Sequence, residues 1–201
     1  MKILIIVEGA TEKAFRTTLG EYLKGHLAGN MPRMNFHSYD KRIPKGDKLK
    51  RVVINYLSEG YDAIIALTDV YTGTQPPDFV DATDAKAKMR QWVGAEARFF
   101  PHAAQYDFEA WLLPYWDVMK RKSGSNMSKP SSNPELVNHI KPPSKWIEEL
   151  FRTGAKRSYS KTRDGKAILL DADLSVAISQ CAELKALVNT ILSLCGAAKI
   201  P

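Results

Sequence analysis

A short apolar run near the N-terminus constrains the fold of this chain more than any other feature. Residues 3–7 read ILIIV, and the carboxylate of Glu8 follows them directly. An unbroken run of this kind, rich in β-branched residues, is typical of a parallel strand covered on both faces. A second run at 61–67, YDAIIAL, has the same character, and Asp69 comes just after it. The sequence therefore predicts two central strands, each with an acid at its end.

Amphipathic segments alternate with these strands. Apolar residues recur at helical spacing within 14–23, 48–57, 82–92 and 107–113, and shorter strand patterns occupy 35–39 and 98–102. Alternation of strands and helices favours a three-layer α/β architecture. The predicted fold class is α/β, with a Rossmann-like parallel sheet flanked by helices and a helical extension at the C-terminus.

The composition changes after residue 118. Residues 119–145 are rich in serine, proline and lysine, which predicts a flexible loop. Beyond it, a strongly amphipathic pattern between 184 and 195 predicts helices. The expected organisation is an α/β core at 1–118, the loop at 119–145, and a helical part at 146–201 packed on the core.

Charge and cysteine content indicate the surroundings of the protein. The 201 residues carry a formal net charge of +7, which suits phosphate-bearing partners. Cys181 and Cys195 both fall in a segment with a helical pattern. If they share one helix, they lie about 21 Å apart by helical rise, too far for a disulfide. No apolar stretch approaches the length of a membrane span. We expect a soluble cytoplasmic protein without membrane association, and the sequence does not indicate an oligomeric state.

Acids at the ends of neighbouring parallel strands can converge on one cation. Glu8 and Asp69 occupy such positions, and Mg²⁺ or Mn²⁺ prefers carboxylate oxygens, waters and phosphate oxygens as ligands. Such ions activate water for phosphodiester hydrolysis. The structural alternative for both acids is capping of the helix that follows. Glu12 either faces the same region or is an acid favoured by the helix dipole.

At this point the chain resembles a known family. Val7-Glu8-Gly9 with Glu12, followed by Thr68-Asp69, is similar to the Toprim domain of topoisomerases, bacterial primases and overcoming-lysogenization-defect (OLD) nucleases. The whole chain is more similar still to a bacterial family of small stand-alone Toprim-like proteins, a domain of unknown function. The further motifs that support this are Asp69-Val70-Tyr71, Asp107-Phe108-Glu109-Ala110-Trp111-Leu112, Tyr159-Ser160-Lys161 and Gly165-Lys166.

The resemblance implies roles for individual residues. Glu8 would be the Toprim glutamate, a general acid or base or a metal ligand, and Asp69 the principal metal ligand. Lys161, or less securely Lys166, would neutralise charge on the scissile phosphate. Tyr71 stands where the usual Asp-x-Asp motif has its second acid. Either Glu12 or Glu109 completes the metal site, or metal binding is weak.

Three residues at or shortly before the predicted helix 107–113 are further candidates. Glu109 is either a metal ligand or the solvated edge of a helix. His102 either binds phosphate and positions water or is a structural histidine. Asp107 is expected to cap the helix that begins at Phe108.

Basic residues cluster in two places. The first group lies around 41–51 and the second around 152–166, and each either follows a nucleic-acid backbone or forms a solvated surface. The residues assigned to nucleic-acid binding are Lys41, Arg42, Lys45, Arg157 and Lys166.

Two functional hypotheses follow. The first is a Mg²⁺- or Mn²⁺-dependent nuclease in phage defence or DNA processing, with DNA favoured over RNA and with a partner ATPase that the resemblance implies. The second is a catalytically inactive Toprim-like binding or regulatory subunit, which Tyr71 favours.

Overall fold

The computed structural model describes residues 1–27, 29–39, 42–71, 73–131, 133–137 and 141–201, and for residues 10–13 it describes the backbone alone. The strands are β1 (Lys2–Val7), β2 (Arg33–Ser38), β3 (Ala63–Asp69) and β4 (Phe99–Ala104). The helices are α1 (Ala10–Lys24), α2 (Asp47–Ser58), α3 (Ala82–Val93), α4 (Trp116–Ser123), α5 (Pro143–Gly154), α6 (Lys166–Leu170), α7 (Leu174–Gln180) and α8 (Ala182–Leu194). Two 3₁₀ helices, Phe108–Tyr115 and Pro134–Leu136, and a π-helical turn, Lys161–Gly165, complete the description.

The four strands form one parallel sheet in the order β2-β1-β3-β4. The predicted α/β fold with a parallel sheet is confirmed. β1 and β3 are central, which explains why their sequences are almost wholly apolar. Proline has no backbone N–H to donate to a neighbouring strand. The strand β4 tolerates Pro101 because it lies at the edge of the sheet and has a neighbour on one side only.

Alternate residues of the central strands point to opposite faces of the sheet. Ile3, Ile5 and Val7 belong to one hydrophobic cluster, which also contains residues of α1, of the 3₁₀ helix 108–115 and of the C-terminal helices. Leu4 and Ile6 belong to another, which contains residues of α2 and α3. The sheet is therefore the middle layer of three, as predicted.

The strand order changes direction between β1 and β3. The connection from β1 runs outward to β2, and the connection from β2 crosses back to β3 on the other side of β1. Open α/β sheets bind ligands in the crevice outside the carboxyl ends of the strands at such a switch point. Glu8 and Asp69 lie at this crevice.

The C-terminal part packs on the sheet through the first cluster, to which α5, α6, α7 and α8 contribute buried residues. Residues 119–123, at the start of the segment predicted as a loop, lie in α4. Cys181 precedes α8 and Cys195 follows it, and both thiols are free. Within the described ranges, no helix is long and apolar enough to cross a membrane.

Candidate active site at the strand ends

Glu8 is the first residue after β1, and it is buried, with 6% of its surface exposed. The hydroxyl Oγ1 of Thr68 donates a short hydrogen bond to Glu8 Oε1, so the end of β3 holds the Glu8 carboxylate. Burial raises the pKa of Glu8, and the hydrogen bond from Thr68 opposes this only in part. Glu8 therefore retains a proton to higher pH than an exposed glutamate does.

Asp69 ends β3 and is tied to the next element of the site. Its Oδ1 accepts a hydrogen bond from the backbone N–H of Phe108 at 2.9 Å. The Asp69 carboxylate therefore caps the 3₁₀ helix Phe108–Tyr115 and fixes the position of that helix relative to the sheet.

The prediction that Asp107 caps the helix at Phe108 is wrong. Asp107 makes no capping bond to its own helix; instead its Oδ2 accepts from the backbone N–H of Ser144 at 3.1 Å, at the start of α5. The side chain that binds an N–H group of this helix is that of Asp69, at Phe108, whereas the N–H of Ala110 donates to the backbone carbonyl of Asp107. This arrangement arises from tertiary packing, because it brings together groups that are far apart in sequence.

Glu109 and Lys161 form an ion pair next to these acids. Glu109 is completely buried, and Lys161 Nζ lies 3.0 Å from Glu109 Oε2. Burial alone would lower the pKa of Lys161, but the carboxylates of Glu109 and Asp69 outweigh it and raise the pKa. Lys161 is therefore a permanent cation between the helix 108–115 and the strand end.

Two buried carboxylate oxygens lack hydrogen-bond partners within the described part of the chain, Asp107 Oδ1 and Glu109 Oε1. Burial, with a further contribution from Glu109, raises the pKa of Asp107 to about 7. Orphaned buried acceptors are costly unless a proton, donor or cation satisfies them. This donor chemistry suits a hard cation, which prefers oxygen ligands.

The described side chains nevertheless contain no ready-made group of three metal-ligating residues. The side chain of Glu12, one of the two acids expected to complete the site, lies outside the described residues; its backbone is in the first turn of α1. The second of these acids, Glu109, accepts a hydrogen bond from Lys161 through its Oε2. Tyr71, two residues beyond Asp69, is exposed rather than turned into the core.

The residues assigned to nucleic-acid binding are dispersed. Arg42 is exposed and interacts electrostatically with Glu8. Lys45 forms an ion pair with Asp78, and Lys166 is exposed at the start of α6. Lys41 lies outside the described residues. The structure therefore brings Arg42 close to Glu8, whereas Lys45 is paired with Asp78.

Arg157 has a structural partner. Its guanidinium donates to both carboxylate oxygens of Asp164, at 2.7 and 2.9 Å. A bidentate pair of this kind holds the turn that carries Lys161. Arg157 thus supports the position of Lys161 at the site.

His102 lies within β4, where it is paired with Leu67. Its Nε2 is 3.0 Å from Thr190 Oγ1 of α8, and the imidazole is buried. Burial lowers the pKa of His102 to about 4. The structure therefore places the His102 side chain against α8.

Sequence reasoning missed two residues of the site. The sequence presents Thr68 only as part of a motif, whereas in the structure its hydroxyl donates to Glu8. The sequence predicts that Asp107 is a local cap, whereas in the structure it is buried close to Glu109 and Lys161. The available signal for Asp107 was its place two residues before Glu109 in the DFEAWL motif.

The switch point, the strand-end acids and the parallel sheet define a Toprim-like α/β domain. The chain belongs to the family described as a domain of unknown function (DUF4276), whose model matches residues 7–192. No curated protein sequence matches the chain significantly. Family membership confirms the predicted resemblance to a family of unknown function, and the roles of the individual residues stay predictions.

Solved structures support the same fold. The C-terminal region of the Burkholderia pseudomallei OLD protein is similar with a TM-score of 0.56 at 14% identity, covering 96% of this chain and 98% of that one. The C-terminal region of the Xanthomonas campestris pv. campestris OLD protein gives a TM-score of 0.51 at 12% identity, covering 96% of each chain. At these identities the similarity establishes the fold.

Proposed function

We propose that the chain is a divalent-metal-dependent nuclease of Toprim type that hydrolyses phosphodiester bonds in phage defence or DNA processing. The observation that carries the proposal is the placement of Glu8 and Asp69 at the switch point, where Thr68 links the two strand ends. Glu8 and Asp69 would hold Mg²⁺ or Mn²⁺, with Glu12 or Glu109 as a further ligand. A bound ion of this kind polarises a phosphoryl oxygen and lowers the pKa of a bound water.

The residues of the chain contribute two further functions. Lys161 keeps its proton because it lies among carboxylates, so it supplies fixed positive charge for a phosphate at the strand ends. The resemblance implies an alternative role for Glu8 as a general acid or base. Its fixed orientation and the raised pKa of its metal-free carboxyl group suit proton exchange with a water or a leaving oxygen. DNA is the favoured substrate, and a partner ATPase that restrains or directs cleavage is part of the proposal.

A cleavage assay tests this function. Supercoiled plasmid and single-stranded circular DNA are incubated with the protein, alone and with an ATPase encoded beside it, in Mg²⁺, Mn²⁺ or EDTA. We expect cleavage only with metal, and none for Glu8→Gln or Asp69→Asn. Both variants should keep the melting temperature, because each amide retains the oxygen that accepts the hydrogen bond from Thr68 or Phe108.

A matched control is Glu59→Gln, an exposed acid that follows α2 and lies next to Lys2 at the start of β1, at the opposite end of the strands from Glu8. This variant should cleave as the wild type does. Undiminished cleavage by Glu8→Gln and Asp69→Asn would show that the site is wrong.

The second candidate is a Toprim-like subunit that binds nucleic acid without cleaving it. Two observations favour it: Tyr71 replaces an acid, and the described residues contain no complete group of metal ligands. Binding without cleavage in any metal, with and without the ATPase, would select this candidate.

A further inference from the structure

Two cavities flank the strand-end acids. One, of about 380 Å³, starts immediately after Asp69 and has aromatic and apolar walls that include Tyr71, Phe79, Val80 and Tyr106. The other is a groove of about 580 Å³ along α5, and its lining includes Lys141, Lys145, Arg152 and Tyr159. We call them the aromatic cavity and the basic groove.

Backbone contacts join the two cavities through the site. The N–H of Tyr71 donates to the carbonyl oxygen of Tyr106 at 2.5 Å, which joins two residues that line the aromatic cavity. The next residue, Asp107, binds the N–H of Ser144 at the start of α5. Lys145 follows, and it interacts electrostatically with both Tyr71 and Asp107. Asp107 therefore links the start of α5, which carries the basic groove, to Tyr106 of the aromatic cavity.

The aromatic cavity exposes apolar surface that a folded chain ordinarily covers. Tyr71 is 53% exposed and Val80 is 73% exposed. Tyr106 is held at a φ of +70°, a left-handed conformation that is uncommon for a residue with a side chain. Exposed apolar residues around a concave surface are characteristic of a binding site.

The basic groove can exchange an ion pair for a phosphate. Its charged residues are three cations and two acids, with Lys141 paired to Glu149 and Lys145 paired to Glu148. The Lys145–Glu148 pair is exposed, and exposed pairs contribute little to stability. A phosphate can therefore replace Glu148 as the partner of Lys145 at small cost.

We propose that this face binds single-stranded nucleic acid, with phosphates along the basic groove and one base stacked on Tyr71 in the aromatic cavity. A basic groove combined with an aromatic platform is the usual means of binding single strands. A base within a duplex is already stacked and cannot enter such a cavity without being flipped out. The proposal rests on the proposed function and specifies its substrate class, and it gives Tyr71 a role in binding substrate.

Fluorescence anisotropy in EDTA tests the proposal without cleavage. The probes are a labelled oligothymidine, an abasic strand of equal length and a duplex. Wild-type protein should bind the oligothymidine more tightly than the abasic strand or the duplex. Tyr71→Ala removes the stacking of one base and should weaken oligothymidine binding by about 5- to 150-fold. Tyr71→Phe keeps an aromatic ring and should bind oligothymidine as the wild type does.

Leu170→Ala is the matched control, since Leu170 is an exposed apolar residue at the end of α6. It should bind all three probes as the wild type does, and Tyr71→Ala should leave binding of the abasic strand unchanged. Equal wild-type affinity for the abasic strand and oligothymidine, or unchanged oligothymidine binding by Tyr71→Ala, would overturn the proposal. If Tyr71→Ala weakens binding but the wild type shows no metal-dependent cleavage, the binding proposal is supported and the proposed nuclease function is rejected. If Glu8→Gln abolishes cleavage but Tyr71→Ala binds as the wild type does, the nuclease function is supported and the binding proposal is rejected.

Discussion

At the scale of single residues, the site is organised by acids that bind groups far from them in sequence. Asp69 caps the 3₁₀ helix at Phe108, and Asp107, next to Phe108, caps α5 instead. Each carboxylate thus fixes one element relative to another. Because Asp69 and Asp107 also lie near Lys161, the same contacts that position the helices set the electrostatics of the site.

The Glu109–Lys161 pair gives a stability prediction. Removing one partner of a buried ion pair costs about 3–5 kcal/mol, but about half of the Lys161 side chain is exposed, so solvent screening reduces the effect. We expect Lys161→Met to lower the free energy of unfolding by about 1–3 kcal/mol.

A double variant separates charge from packing. Lys161→Met combined with Glu109→Gln should recover much of the loss, because the buried side chain no longer carries an unpaired charge. Urea unfolding of the wild type and the three variants measures this coupling. Additive losses would show that the two side chains do not stabilise each other.

His102 gives a prediction of pH dependence. Burial lowers its pKa from 6.5 to about 4, with a smaller contribution from Lys86. Between these values the unfolded chain binds a proton that the folded chain does not. Stability should therefore fall as the pH is lowered from about 6.5 to about 4, by roughly 3 kcal/mol at most. Chemical denaturation at several pH values should show a weaker dependence for His102→Gln, and an equal dependence would contradict the assignment.

At the scale of elements, the approach of α5 to the end of α4 depends on one glycine. A Cβ atom at Gly154 would lie 2.4 Å from the carbonyl oxygen of Ser123 and 2.6 Å from the backbone nitrogen of Ser125. Because both neighbours are backbone atoms, the two helices cannot adjust as a side chain would. This contact holds α5, which carries the basic groove, in its position.

Gly154→Ala should therefore destabilise the protein by about 1–3 kcal/mol or more. The control is Gly20→Ala in α1, where an added Cβ meets nothing within 4 Å. That substitution should stabilise the protein by about 0.5–1 kcal/mol through helix propensity. Thermal unfolding of both variants checks the pair, and equal melting temperatures would contradict the close approach of α4 and α5.

At the scale of the whole molecule, the topology of the sheet brings together Glu8 and Asp69. Their placement was predictable, because unbroken apolar runs identify β1 and β3 and each run ends at an acid. The remaining site was not predictable from local patterns. Asp107 meets Ser144 across 37 residues and Lys161 meets Glu109 across 52, contacts that depend on how the C-terminal helices dock on the sheet.

The central claim is that this topology creates a site for a divalent cation at the ends of β1 and β3. Calorimetric titration of Mn²⁺ into the folded protein tests it most directly, with Glu59→Gln as the control. We predict saturable binding to the wild type and to Glu59→Gln, and loss of binding in Asp69→Asn at an unchanged melting temperature. Absence of binding to the wild type, or equal binding to Asp69→Asn, would contradict the account.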